Sequence, residues 1–223
     1  MVRIDPNKPL PEHTKLRYEE CYAKVFLEYF YPNEFCNLII QDKPDLYDCK
    51  NDIGIEVVEA EEQRKKEAVK LWYTIPYVSE QEKVKNKDRM KQLGEEYMGG
   101  FQVWSTISYD KDIDSKPFKV LYAVLNRKLQ KLKTGNYKLC KSYELFIYSE
   151  LMIRKEWHEK MLARLIDIST KYSLKYEQIH IATQDSLCLY NIQENTFKFC
   201  DITEKQKELA FQARKLVERG EDE

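Results

Sequence analysis

The chain has 223 residues, which fits one large domain or a domain with attached helices. Hydrophobic residues make up 43% of it, enough to fill a core. The formal net charge is only -1, which argues against a protein that coats nucleic acid through bulk charge and leaves room for a local basic cleft.

No apolar run reaches the ~18 residues of a membrane span, and the polar N-terminus lacks a signal-peptide pattern. The expectation is a cytoplasmic protein with no membrane partner. The cysteines, Cys21, Cys36, Cys49, Cys140, Cys188 and Cys200, form no CxxC pair, and there are only 3 histidines. That composition speaks against a zinc site and for small buried hydrophobes in a reducing compartment.

Residues 1–13, with Pro6, Pro9 and Pro11, read as an extended arm. Thr14 is a candidate cap for a helix running to about Phe30, with a stripe of Leu16, Ala23, Leu27 and Phe30 widened by Phe26. Leu38 to Ile40 reads as a brief strand. Between Lys43 and Ala60, two apolar segments flank the polar run Asp48 to Asp52, which predicts a β-hairpin. Period two puts Ile53, Ile55 and Val57 on one side of the second strand and Glu56 and Val58 on the other. Glu59 falls on the side of Val57 unless a bulge re-aims it.

Glu61 to Trp72 has helical spacing with a basic cluster of Arg64, Lys65 and Lys66, and Pro76 ends or bends it. Residues 79–97 read as an exposed charged helix, Gly99-Gly100 as a hinge and Phe101 to Tyr109 as a strand. Pro117 opens a well-patterned helix to about Lys133. Its apolar side is Phe118, Leu121, Tyr122, Leu125, Leu129 and Leu132, and its other side carries Arg127, Lys128 and Lys131. Gly135-Asn136 closes it. Tyr143 to Tyr148 is apolar on both faces, as an interior strand is. Arg154 to Tyr172 reads as a helix and Ile179 to Thr183 as a strand. His180 is read as a sheet-face residue, because the sequence assigns it no acid partner. Leu187 to Ile192 and Thr196 to Ile202 form a hairpin, and Thr203 with Gln206 makes a capping box for the last helix. The fold class expected is α/β: a mixed β-sheet flanked by helices over residues 14–220, with a helical charged insertion at 61–116 and a C-terminal β-hairpin and helix.

In such a hairpin Asp45 and Glu56 meet at one end of the sheet. Paired carboxylates repel unless a proton or a cation lies between them, and oxygen donors of this kind suit Mg²⁺ or Mn²⁺. Here the chain resembles the PD-(D/E)xK nuclease superfamily, whose fold is restriction-endonuclease-like. The resemblance rests on Pro44-Asp45 and Glu56, and on the order helix, three strands, helix, strand, helix, strand across most of the chain. It implies a metal held by Asp45, Glu56 and the backbone carbonyl of Val57, and hydrolysis of DNA phosphodiester bonds. It also implies a lysine two residues after the Glu. That position is Val58, so the cation has to come from elsewhere: Lys128 or Lys131, with Lys65 and Lys66 as further candidates. An acidic residue of the first helix completes the expected set, and Glu20 is chosen for it.

Three functions stay open on sequence alone: a metal-dependent nuclease acting on DNA, the same fold without catalysis as a nucleic-acid- or protein-binding module, and an unrelated α/β assembly protein, a homodimer among the options. The first requires a cation within reach of the carboxylate pair, the second keeps a basic cleft without a completed site, and the third has Asp45 and Glu56 apart or each neutralised by an ordinary salt bridge.

Overall fold

Apolar residues at helical spacing set the first helix, α1 (Tyr18–Phe30), with Cys21, Tyr22, Ala23, Phe26 and Leu27 buried. In the computed structural model, which describes residues 10, 14–61, 63–93, 112–135, 137–149, 151 and 153–222, two strands follow as short antiparallel pieces. They are β1 (Ile39–Ile40) and β2 (Leu46–Asp48). β2 pairs with β3 (Ile53–Glu59), with Leu46 opposite Ile55, Tyr47 opposite Gly54 and Asp48 opposite Ile53. The turn between them is built by Asp48, whose carboxylate accepts from the backbone N–H groups of Lys50 and Asn51. The expected hairpin therefore forms.

The rest of the sheet is β4 (Ser142–Tyr148), β5 (Gln178–Ala182), β6 (Ser186–Asn191) and β7 (Thr196–Asp201). The seven described strands lie in sequence order in one mixed sheet. β3, β4 and β5 are parallel, and the outer pairs are antiparallel. β4 is the interior strand its composition predicts, with a parallel neighbour on each side.

Two layers of helices cover the sheet. On one face, Tyr22 of α1 stacks on Phe26 at 4.0 Å and meets the rings of Phe146 and Tyr148 of β4 edge-on. The last helix, α6 (Gln206–Asp222), packs beside α1. On the other face lie α4 (Lys116–Thr134) and α5 (His158–Ser169), which share a core with Leu145, Ile147, Ile179 and Ile181. Burying each of the α4 leucines Leu121, Leu125 and Leu129 contributes about 1.5–3 kcal/mol.

These elements belong to one compact unit, Thr14–Ala60 with Asp110–Glu223. A second unit, Met1–His13 with Glu61–Tyr109, contains α2 (Gln63–Thr74), a 3-10 turn carrying Pro76, and α3 (Glu80–Gln92). α3 opens on a capping box of Ser79 and Glu82, and the Arg89 guanidinium grips the Glu67 carboxylate through two hydrogen bonds. The hinge and strand expected at 99–109 lie outside the described residues.

Three local expectations need correction. Thr14 caps nothing: α1 begins at Tyr18 after Arg17, and the Thr14 hydroxyl donates to the carbonyl of Leu16. The Thr203 N–H is taken by the Asp201 carboxylate, and α6 starts only at Gln206, so no capping box forms there. The helix expected from Arg154 is a 3-10 turn, Lys155–Trp157, followed by α5, and it ends at Ser169.

Gly54 is where β2, β3 and the chain before β4 converge. A Cβ there would meet Pro44 Cγ at 2.8 Å, Cys140 Sγ at 3.1 Å and the Tyr143 ring at 3.2 Å. Gly54→Ala is therefore expected to cost about 1–3 kcal/mol through overpacking against a rigid pyrrolidine ring, measurable as a lower midpoint in urea unfolding.

Candidate active site

Beyond Leu46 the two strands of the hairpin part. Asp45 still pairs outward, its carbonyl accepting from the Gln41 N–H. Toward β3 its side chain takes over from the backbone: Asp45 Oδ2 accepts from the Val57 N–H at 2.7 Å. A strand residue points its N–H and C=O to the same side, so the Val57 carbonyl is left facing the same gap. That carbonyl accepts from Lys128 Nζ at 3.0 Å. The open edge of β3 is thus closed by one carboxylate and one ammonium.

The same ammonium donates to Glu56 Oε2 at 2.7 Å and lies 3.7 Å from Asp45 Oδ2. All three side chains are largely withdrawn from water, with 4% of Glu56, 13% of Lys128 and 18% of Asp45 exposed. Removing one partner of such a buried pair costs roughly 3–5 kcal/mol, because it strands the other charge.

Register explains why Lys128 reaches Glu56. Glu56 lies opposite Leu145 of β4, on the sheet face that packs against α4. Lys128 stands between Leu125 and Leu132 in the helical pattern, within the buried stripe of α4. The expectation that Lys128 lies on the side opposite the apolar stripe is therefore corrected. A lysine at this spacing among leucines needs a buried partner, and that signal is present in the sequence. Lys131, three residues on, is exposed and makes no described bond to either carboxylate. Lys66 belongs to α2 in the other unit, as does Lys65.

Glu20 of α1 joins the group from the opposite layer. Burial, and then the negative charge of Asp45, push its pKa up from the ordinary 4.5 to about 7, while Arg17 and Lys128 pull it down. Arg17 lies 3.7 Å from the Glu20 carboxylate. The structure thus brings Asp45, Glu56 and Lys128 together at the buried backbone of Val57, with Glu20 near enough to feel the charges of Asp45 and Lys128. Two carboxylates share one ammonium there, so the cluster keeps a net negative charge.

Tyr137 is the member that sequence reasoning misses. Its hydroxyl donates to Glu56 Oε2 at 3.0 Å. Burial and the Glu56 charge raise the phenol pKa, which keeps it a donor. Its segment is braced on the turn that carries Asp45: the Lys138 N–H donates to Lys43 O at 3.1 Å, the Lys138 ammonium lies 3.3 Å from the centre of the Tyr47 ring, and the Tyr143 hydroxyl donates to Lys138 O at 2.7 Å. Lys43 itself adopts a left-handed conformation, with φ 52°. Nothing in the spacing after the α4 terminus marks Tyr137, because its role depends on where a loop crosses.

Two other acidic residues face away. Glu59, like Val57, projects toward α1 and lines a cavity of about 220 Å³ with Tyr18, Tyr22, Tyr148 and Gln206. On that face too, His180 Nε2 lies 2.7 Å from Glu144 Oε2, both buried, with the rings of Tyr31 and Phe35 against the imidazole. Glu144 is the acid partner that the sequence could not assign: it comes from the neighbouring strand.

No described group of three or more His, Cys, Asp or Glu side chains has the arrangement of a metal centre. The donor set at Val57 is of another kind, two carboxylates and a backbone carbonyl. All are hard oxygens, and in chemical type they fit Mg²⁺ or Mn²⁺. No protein-family model, curated protein or solved structure matches the chain. No described helix is long and apolar enough to cross a membrane.

The raised Glu20 pKa has a definite consequence for stability. The folded protein holds a proton that the unfolded chain releases near pH 4.5. That contribution is complete below the unfolded value and is lost as pH rises through the folded value of about 7. Glu20→Gln should therefore gain stability relative to the parent as pH rises across this window and keep the gain above it. Thermal melts in a divalent-free buffer series check this.

Proposed function

We propose that the protein is a metal-dependent nuclease of the PD-(D/E)xK type that hydrolyses DNA phosphodiester bonds. The observation that carries this reading is Lys128 Nζ within hydrogen-bond distance of both Glu56 and the Val57 carbonyl and beside Asp45. Val58 leaves the motif without its cation, and a lysine from α4 supplies one to the same carboxylates. With α2 and α3 set aside as part of the other unit, the order α1, β1 to β3, α4, β4, α5 and β5 supports the restriction-endonuclease-like version of this α/β fold.

Asp45, Glu56 and the Val57 carbonyl would hold the divalent cation, which when bound polarises a phosphoryl oxygen and makes water a better nucleophile. The chain's own groups have separate tasks. Asp45 is oriented by the Val57 N–H, and Glu56 by Tyr137. Lys128 brings a positive charge to the place where negative charge grows on the phosphate, in a site largely withdrawn from water. In the metal-free chain, burial and the Asp45 charge raise the Glu20 pKa, and a cation on Asp45 would lower it again. The cluster's deficit of positive charge favours a cation, and the cation offsets the repulsion a DNA phosphate would otherwise meet there.

The test is a cleavage assay on single- and double-stranded DNA with Mg²⁺ or Mn²⁺, paired with Mn²⁺ calorimetry. The isosteric pair Asp45→Asn with Glu56→Gln should lose the bound Mn²⁺ and lower cleavage by at least about a hundredfold, the order seen when one charge-stabilising group is removed. DNA binding without cleavage by a parent chain that binds Mn²⁺ would point instead to a nucleic-acid-binding module. A parent chain with neither metal binding nor cleavage would sink the proposal.

A further inference from the structure

We infer that Lys128 is a built-in counter-ion that an incoming divalent cation displaces, so that loading the metal and releasing the lysine are one event. This rests on the nuclease reading above and adds to it how the site is kept before metal arrives. The ammonium lies 2.7 Å from Glu56 Oε2, 3.0 Å from Val57 O and 3.7 Å from Asp45 Oδ2. These are the same three oxygens that would coordinate the cation. A metal ion bound to them at about 2.0–2.1 Å would take the place of the ammonium among those oxygens. Two cations sharing three oxygens at that range repel, so they exclude one another.

The exchange is mechanically simple. Lysine carries its charge on a flexible four-carbon stem, so Nζ is able to withdraw while α4 stays in place. The helix is held at that residue independently of the side chain: the Tyr176 hydroxyl donates to the Lys128 carbonyl at 3.3 Å, and Leu125, Leu129 and Leu132 are buried around it. Tyr137 shares Glu56 Oε2 with the ammonium but is a neutral donor, so it does not oppose a cation's charge. The displaced ammonium would stay tethered by its stem near the same oxygens, able to meet the oxygens of a bound phosphate. A chain without metal keeps its lysine engaged with both carboxylates; a loaded chain would have both cations in place for charge stabilisation.

Competition for one site lowers apparent affinity, and removing the competitor restores it. The experiment is calorimetric titration of the full chain with Mn²⁺ alone. It compares the parent, Lys128→Met, Lys128→Gln, the Asp45→Asn/Glu56→Gln pair and, as a control on the exposed face of α4, Lys133→Met. Lys128→Gln keeps an N–H donor and drops the charge, which guards against a Met variant that fails to fold. Both Lys128 variants are expected to bind Mn²⁺ about tenfold or more tightly than the parent, within the usual range of coupling between two ligands. The control should match the parent, and the carboxylate pair should bind none. Mn²⁺ should also raise the melting temperature of Lys128→Gln more than that of the parent.

Equal or weaker binding by the Lys128 variants, with parental binding lost in the carboxylate pair, would overturn the counter-ion role and leave the nuclease reading standing. Absence of Mn²⁺ binding in every chain would overturn both.

Discussion

One ammonium group holds the centre of this molecule together. Asp45 and Glu56 are brought close by the pairing of β2 with β3, and the strands part just where the two carboxylates meet. Like charges at short range in a partly dry site repel strongly. Lys128 bonds Glu56 and the Val57 carbonyl and stands beside Asp45. Without it the carboxylates and the open strand edge would have neither a counter-charge nor a full set of donors. Its own burial is tolerable only because three oxygens receive it.

The surrounding structure is arranged so that this convergence is fixed. α4 is held by its leucine stripe and presents Lys128 within that stripe, rather than on the solvated side where lysines usually stand. The segment after α4 crosses the Pro44-Asp45 turn and is tied to it at Lys43 and Tyr47, and it places Tyr137 on Glu56. Gly54 leaves room for that crossing, with Pro44 and Cys140 packed into the space a side chain would need. α1 brings Glu20 from the other layer. Three layers therefore supply the site, and a shift in any of them would be felt at Val57.

The pair of His180 and Glu144 makes a useful contrast on the opposite face. It too is a buried acid with a nitrogen partner, formed across neighbouring strands. The rings of Tyr31 and Phe35 lie against its imidazole. The cluster around Val57 differs in having two carboxylates on one ammonium and a strand carbonyl that bonds a side chain instead of a neighbouring strand.

Composition and periodicity by themselves determined the α/β class, the sheet's interior strand, the hairpin and the apolar faces of α1 and α4. These follow from local spacing, which fixes which side of an element is buried. The Pro44-Asp45 and Glu56 positions were also legible, because a hairpin brings together residues equally far from its turn. Only the tertiary structure decided which cation meets them. Val58 removed the local choice, and the selection of Lys128 over Lys131 turned on helix rotation against the sheet, a quantity that depends on the packing of every leucine in α4. Tyr137 and Glu144 were hidden for the same reason: each owes its role to a neighbour far away in sequence, brought near by a loop crossing or a strand pairing that no local pattern encodes.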